Sequence, residues 1–91
     1  MKDWLVYMIR CSDDSLYTGI TNDLEKRFRQ HTEGKGAKYF RGRRPKEVVH
    51  VEQCPDRSSA SKREAQIKKL TPEQKRSLVG TGHRKHKRHI S

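Results

Sequence analysis

Tyr7, Tyr17, Arg27, His31 and Glu64 are the side chains through which this sequence could do chemistry. Phenols and an imidazole give and take protons, a guanidinium offers a fixed positive charge, and a carboxylate is an anionic oxygen ligand. Tyr7 and Tyr17 lie an even number of residues apart, in two segments that read as the strands of a hairpin. A loop of odd length, such as three residues, puts both phenols on one sheet face with Gly19 opposite Tyr7. A two-residue loop puts them on opposite faces. Gly19, lacking a side chain, could then leave space for a phosphate to approach the sheet. Each tyrosine taken alone also has a plain reading as a strand aromatic.

Leu24 and Phe28, four residues apart, define the buried stripe of the following helix, and Arg27 and His31 fall on it three residues after each. A core-facing arginine is costly unless it meets an anion or its stem snorkels past the core edge. His31, close to the helix C-terminus, could be there for the helix dipole. Glu64 shares a helix face with Ala60 and Ile67. A carboxylate centred on an apolar stripe needs a cation, and a divalent metal is one way to supply it. An ion pair with Arg27 is another, and Ser61-x-x-Glu64 is a capping-box pattern if that helix starts late. Each residue has a bland explanation, but all five can face one pocket.

The elements that must position them follow from patterning. Trp4 to Ile9 is a nearly continuous apolar run suited to a buried strand. Ser12 to Ser15 is a cluster of turn formers, and Leu16 to Thr21 reads as the second strand. Asn22 looks like a helix cap with Glu25 completing a capping box, for a helix over 23–33 that stops at Gly34. Residues 34–45 read as a basic loop with one short helical turn, and Glu47 to Gln53 as a third strand. A helix is expected over 59–70. Thr71, Pro72 and Gln74 start another that fades by Val79. The order strand, strand, helix, strand, helix, helix predicts an α+β domain, a small three-stranded antiparallel sheet flanked by helices.

Ninety-one residues, 30% hydrophobic and 36% charged, suit one domain with a thin core, expected over 1–79. Residues 80–91 are glycine, histidine and basic residues, expected to form a disordered tail that also accounts for His83, His86 and His89. The formal charge is +11, and only four of the basic residues stand after Val79, so the excess is not a tail effect. Such an excess attracts polyanions through counterion release, making nucleic acid the leading partner and an anionic membrane surface a poor second. No apolar run approaches the roughly 20 residues of a membrane span. The start lacks a secretory stretch, and Cys11 and Cys54 are too few for a disulfide framework or a four-cysteine zinc site. A cytoplasmic location is expected.

In this setting Val6-Tyr7-Met8 and Tyr17-Thr18-Gly19 resemble divergent copies of the two tripeptides of the GIY-YIG nuclease family, each keeping its tyrosine. Arg27 and His31 stand where the family's helix carries its arginine and the residue one turn later, and Glu64 stands where its metal-binding glutamate lies. Gly36-Ala37-Lys38-Tyr39, Arg43-Arg44-Pro45 and Ile67-Lys68-Lys69-Leu70 are similar to the stand-alone bacterial branch of small GIY-YIG proteins, and the resemblance covers about residues 4 to 79. Ile20 departs from it, standing where some relatives place a lysine. The resemblance implies hydrolysis of nucleic-acid phosphodiester bonds with one divalent ion, Mg²⁺ or Mn²⁺. Glu64 would hold the metal, one of the two tyrosines would be the general base, Tyr7 favoured with Tyr17 orienting or the reverse, Arg27 would neutralise phosphoryl charge, and His31 would bond a tyrosine or the water. DNA is favoured over RNA, as an endonuclease of repair or recombination. The alternative is a binding module with little activity, directed to RNA. Lys35, Lys38, Arg41, Arg43 and Arg44 are candidates to grip phosphates, with Tyr39 or Phe40 stacking on an unpaired base. Packing on the core is the better expectation for Phe40.

Overall fold

Trp4–Cys11 forms β1, and Leu16–Thr21 folds back on it as β2. This computed structural model describes residues 3–35, 38–40 and 42–79. Arg41, the pair Gly36 and Ala37, and the expected tail over 80–91 with its histidines lie outside the described residues. The hairpin loop has three residues. The Cys11 amide donates to the Ser15 carbonyl at 2.9 Å, and the Asp14 amide to the Cys11 carbonyl at 2.9 Å. Asp14 takes the left-handed conformation, with φ 66°, that three-residue hairpins need at this position and that aspartate tolerates. The odd loop length sets Tyr7 opposite Gly19 and Ile9 opposite Tyr17, so both phenols share a face.

The first helix, α1, spans Leu24–Thr32 and is capped by Asp23, not by Asn22. The Asp23 carboxylate accepts from the Lys26 amide at 3.2 Å, while the Asp23 amide is held by Thr21 Oγ1 at 3.0 Å. That second bond turns the chain directly out of β2 and moves the cap one residue along. At the far end Gly34 adopts φ 77°, and amides of Gly34 and Lys35 donate to carbonyls of His31 and Gln30 at 3.1 and 2.9 Å. This is the paired closure that glycine permits just beyond a helix, and it directs the chain onward through Lys35.

After a single 3-10 turn over Lys38–Phe40, β3 spans Pro45–Cys54, longer than the expected segment at both ends. The sheet order is β2-β1-β3, antiparallel throughout. With partners on both edges and helices on both faces, β1 buries Val6, Tyr7, Met8 and Ile9 in succession, which explains its continuous apolar run. The second helix, α2, spans Arg57–Lys68 and starts two residues earlier than expected because Asp56 caps it, accepting from the Ser59 amide at 2.7 Å. Ser61 therefore sits inside the helix, and its capping-box reading with Glu64 is excluded. A third helix, α3, covers 72–79. Its reciprocal cap forms as expected: Thr71 Oγ1 accepts from the Gln74 amide at 3.1 Å, and Gln74 Oε1 accepts from the Thr71 amide at 2.9 Å.

Two apolar clusters cover the sheet. Val6 and Met8 pack with Ala60 and Ile67 of α2, joined by Leu70, Leu78 and Val79. Tyr7, Ile9 and Cys11 pack on the opposite face with Phe40, Leu24 and Phe28. Ile67 is fully buried and anchors α2, so Ile67→Ala should lower stability by about 3 kcal/mol, through lost transfer energy and the cavity left behind. Gln66→Ala, at an exposed neighbour, should change it little; urea unfolding of both variants checks this.

Candidate active site

β2 is an edge strand, and at its rim residues from both sides of the sheet meet. A cavity of about 280 Å³ there is lined by Tyr7, Tyr17, Gly19, Ile20, Arg27, His31, Lys35 and Glu64. All five side chains singled out from the sequence thus border one space, drawn from β1, β2, α1 and α2.

Tyr7 is buried, and its hydroxyl lies 2.9 Å from His31 Nε2. The Tyr17 ring stands edge-on to His31, with centroids 5.3 Å apart. Gly19 makes room for this arrangement. A Cβ added there would come within 2.6 Å of the Tyr7 hydroxyl oxygen and 2.8 Å of Tyr7 Cζ. The space expected to admit a phosphate is filled by the Tyr7 phenol, so the glycine's contribution is to place that hydroxyl. His31 is 2% exposed, and its Nδ1 has no hydrogen-bond partner among the described residues. Burial, with the Arg27 charge adding to it, pulls His31 down to about 4. The imidazole is therefore neutral near pH 7, which overturns the helix-dipole account of this residue, since that account needs a cation. Burial pushes the Tyr7 phenol up, with neighbouring Tyr17 adding to the shift and Arg27 opposing it. Tyr17 is raised by burial too, opposed chiefly by the charge of Lys68.

Glu64 occupies the stripe between the fully buried Ala60 and Ile67, and its side chain is 23% exposed. Its cation is neither Arg27 nor a distant residue but Lys68, whose Nζ lies 3.2 Å from Oε2. The donor set suits a hard, largely hydrated cation. Among the described residues no cluster of three or more His, Cys, Asp or Glu side chains could hold a metal, so Glu64 offers a lone carboxylate. Mg²⁺ commonly binds through one or two carboxylates together with waters and substrate phosphate, so a single carboxylate beside a phosphate-sized space fits it. That ion would be Glu64's ligand partner in place of the lysine.

Comparison with known proteins shows the family. The model of the GIY-YIG catalytic domain matches residues 3–77. This chain belongs to the GIY-YIG family. It is 52% identical over 77 residues to a UPF0213 protein of Desulfotalea psychrophila, covering 84% of this chain and 70% of that protein. It is 52% identical over 83 residues to a UPF0213 protein of Haloquadratum walsbyi, covering 90% and 93%. A solution structure of a protein from E. faecalis superposes with a TM-score of 0.62 at 40% identity, covering 91% of this chain and 88% of that one. The solution structure of a UPF0213 protein from Bacillus halodurans gives 0.57 at 39% identity, covering 87% and 84%.

The basic loop of this GIY-YIG domain divides. Lys35, exposed, borders the cavity. Arg43 is committed elsewhere: its Nε lies 3.0 Å from Asp13 Oδ2 and its guanidinium sits 4.1 Å over the Tyr39 ring. Arg44 is tied through its backbone to Ser12, donating to Oγ at 3.0 Å and accepting from the Ser12 amide at 2.8 Å. Lys38 is exposed, Tyr39 is half-buried with its ring 5.2 Å from that of Tyr17, and Phe40 is buried in the core. None of Lys38, Tyr39, Arg43 and Arg44 lines the cavity; Arg43 and Arg44 border a separate cleft of about 550 Å³ that shares His31. Lys68 is the site residue that sequence reasoning missed. Its spacing, one turn after Glu64, was the available signal.

The clash above Gly19 predicts that Gly19→Ala lowers the melting temperature and that the loss shrinks in a Tyr7→Leu background; equal losses in both backgrounds would count against it. His31 gives a pH prediction. The unfolded chain takes up a proton near pH 6.5, while the folded state refuses it until about 4. Stability should be complete above about pH 6.5 and fall by up to about 3 kcal/mol on acidification to about 4. Denaturant unfolding across that window should lose most of this slope in His31→Gln.

Proposed function

We propose that this domain hydrolyses phosphodiester bonds of nucleic acid, DNA in preference to RNA, with one Mg²⁺ or Mn²⁺ held at Glu64. The reading is carried by the meeting of two phenols, an imidazole, a guanidinium and a carboxylate around one cavity, in a protein of formal charge +11. When bound, the ion supplies Lewis-acid polarisation of the scissile phosphate and stabilisation of the leaving oxygen. Arg27, bordering the same cavity, would neutralise charge building on the phosphoryl oxygens. A buried phenol held above its usual range is a poor base by itself. Its hydroxyl is fixed by the neutral His31 imidazole, with Nε2 2.9 Å away, and the positive charge of Arg27 and of a bound ion would favour the phenolate that takes a proton from the attacking water. Tyr17, packed on His31, orients the pair. Lys35 brings an ammonium to the space that Ile20 borders with an apolar side chain.

A second reading, a nucleic-acid-binding module with little turnover and an RNA preference, is favoured by the ion pair that already neutralises Glu64 and by the apolar Ile20. One experiment separates the two. The protein is incubated with flapped, branched and single-stranded DNA, and with RNA, in the presence of Mg²⁺ or Mn²⁺. Hydrolysis predicts metal-dependent cleavage that falls on the order of a hundredfold or more in Glu64→Gln and in Tyr7→Phe, while salt-sensitive binding persists. Cleavage that survives Glu64→Gln sinks the assigned roles, and binding without turnover under either metal establishes the module.

A further inference from the structure

The cavity brings its own cation. Lys68 places Nζ 3.2 Å from Glu64 Oε2, yet its side chain remains 54% exposed. Carboxylates that tie the framework together are held differently. Glu52 is gripped by Arg63 through Nε and Nη2 at 2.8 and 3.0 Å, Glu47 by Arg10 at 2.9 and 2.6 Å, and Asp13 by Arg43 at 3.0 Å. A guanidinium fork fixes its partner in a plane; an ammonium on a four-carbon stem is a point charge that turns away easily. The carboxylate that borders the cavity is thus paired with the more exchangeable kind of cation. Lys68 also acts beyond Glu64, since its charge opposes the upward push of burial on Tyr17. It thus sits directly behind Glu64, one of the residues that border the cavity, without lining the cavity itself.

A lysine ammonium and a hydrated divalent ion compete for the same carboxylate oxygens. A backbone phosphate arriving beside them offers the ammonium another anion. We infer that Lys68 is a displaceable cation: it occupies Glu64 in the metal-free protein and moves to a phosphate of bound nucleic acid, so that nucleic acid raises the affinity of Glu64 for a divalent ion. The inference rests on the reading of Glu64 as the metal-binding residue. By linkage the coupling is reciprocal, and the metal tightens nucleic-acid binding by the same factor. Metal thereby accumulates at the site mainly when there is a phosphodiester to act on.

The test is titration of the full chain with Mn²⁺, with free ion followed by electron paramagnetic resonance. It is run with and without a short phosphorothioate-linked single strand, the strand's own Mn²⁺ binding being measured separately. In wild type the oligonucleotide should raise Mn²⁺ affinity about fivefold, the scale of one partly exposed ion pair. Lys68→Met should raise affinity about fivefold without oligonucleotide and lose most of the further gain with it. Lys69→Met, at an exposed neighbouring position, should change affinity less than twofold, and a Lys69 effect equal to that of Lys68 would reduce the result to general charge. If Glu64→Gln lowers Mn²⁺ binding but Lys68→Met leaves affinity and coupling as in wild type, the role of Lys68 is overturned and the metal reading stands. If Glu64→Gln binds Mn²⁺ as wild type does, the metal reading of Glu64 fails and this inference fails with it.

Discussion

Three residues between Cys11 and Ser15 decide which atoms can meet in this protein. An odd-length loop closed by Asp14 in the left-handed region locks β1 and β2 in the register that pairs Tyr7 with Gly19. A slip by one residue would turn every side chain of β2 to the other face. Tyr17 would leave His31, a side chain would stand where Gly19 now lets the Tyr7 phenol lie, and the bond between Tyr7 and His31 would have no room. The cavity at the β2 rim is therefore a product of strand register before it is a product of any one side chain.

On that register rests an electrostatic arrangement in which burial dominates. The phenols stay protonated and the imidazole stays neutral because the sheet and α1 exclude water from them, and Arg27 reinforces the neutrality of His31. Charge is confined to the rim, on Arg27, Lys35, Glu64 and Lys68. On the proposed reading the division is chemically useful: neutral groups that would exchange protons sit inside, and charged groups that would meet an anion or a cation sit at the rim.

Much of the fold was legible because its signals were local. The apolar run of β1, the bounds of β2 and the reciprocal Thr71–Gln74 cap each depend on residues close in sequence. The face shared by Ala60, Glu64 and Ile67 was readable from helical spacing alone. What escaped depended on contacts between elements or on competition between adjacent candidates. Asn22 and Asp23 are equally good caps by composition, and only the bond from the Asp23 amide to Thr21 decides between them. The use of Gly19 by the Tyr7 ring needs the position of a phenol from another strand. The commitment of Arg43 to Asp13 and Tyr39 joins a loop to a hairpin thirty residues away in the chain, which charge counting treats as one more free cation.

The position of β2 at the edge of the sheet has one more consequence. A pocket sunk into the middle of a sheet face, roofed by a helix, can be entered only by something small or by the free end of a chain. Here the cavity lies along the flank of an edge strand, bordered by residues of β1, β2, α1 and α2. A long polymer can be laid against such a flank anywhere along its length, so a reaction at an internal linkage asks for no terminus and no threading.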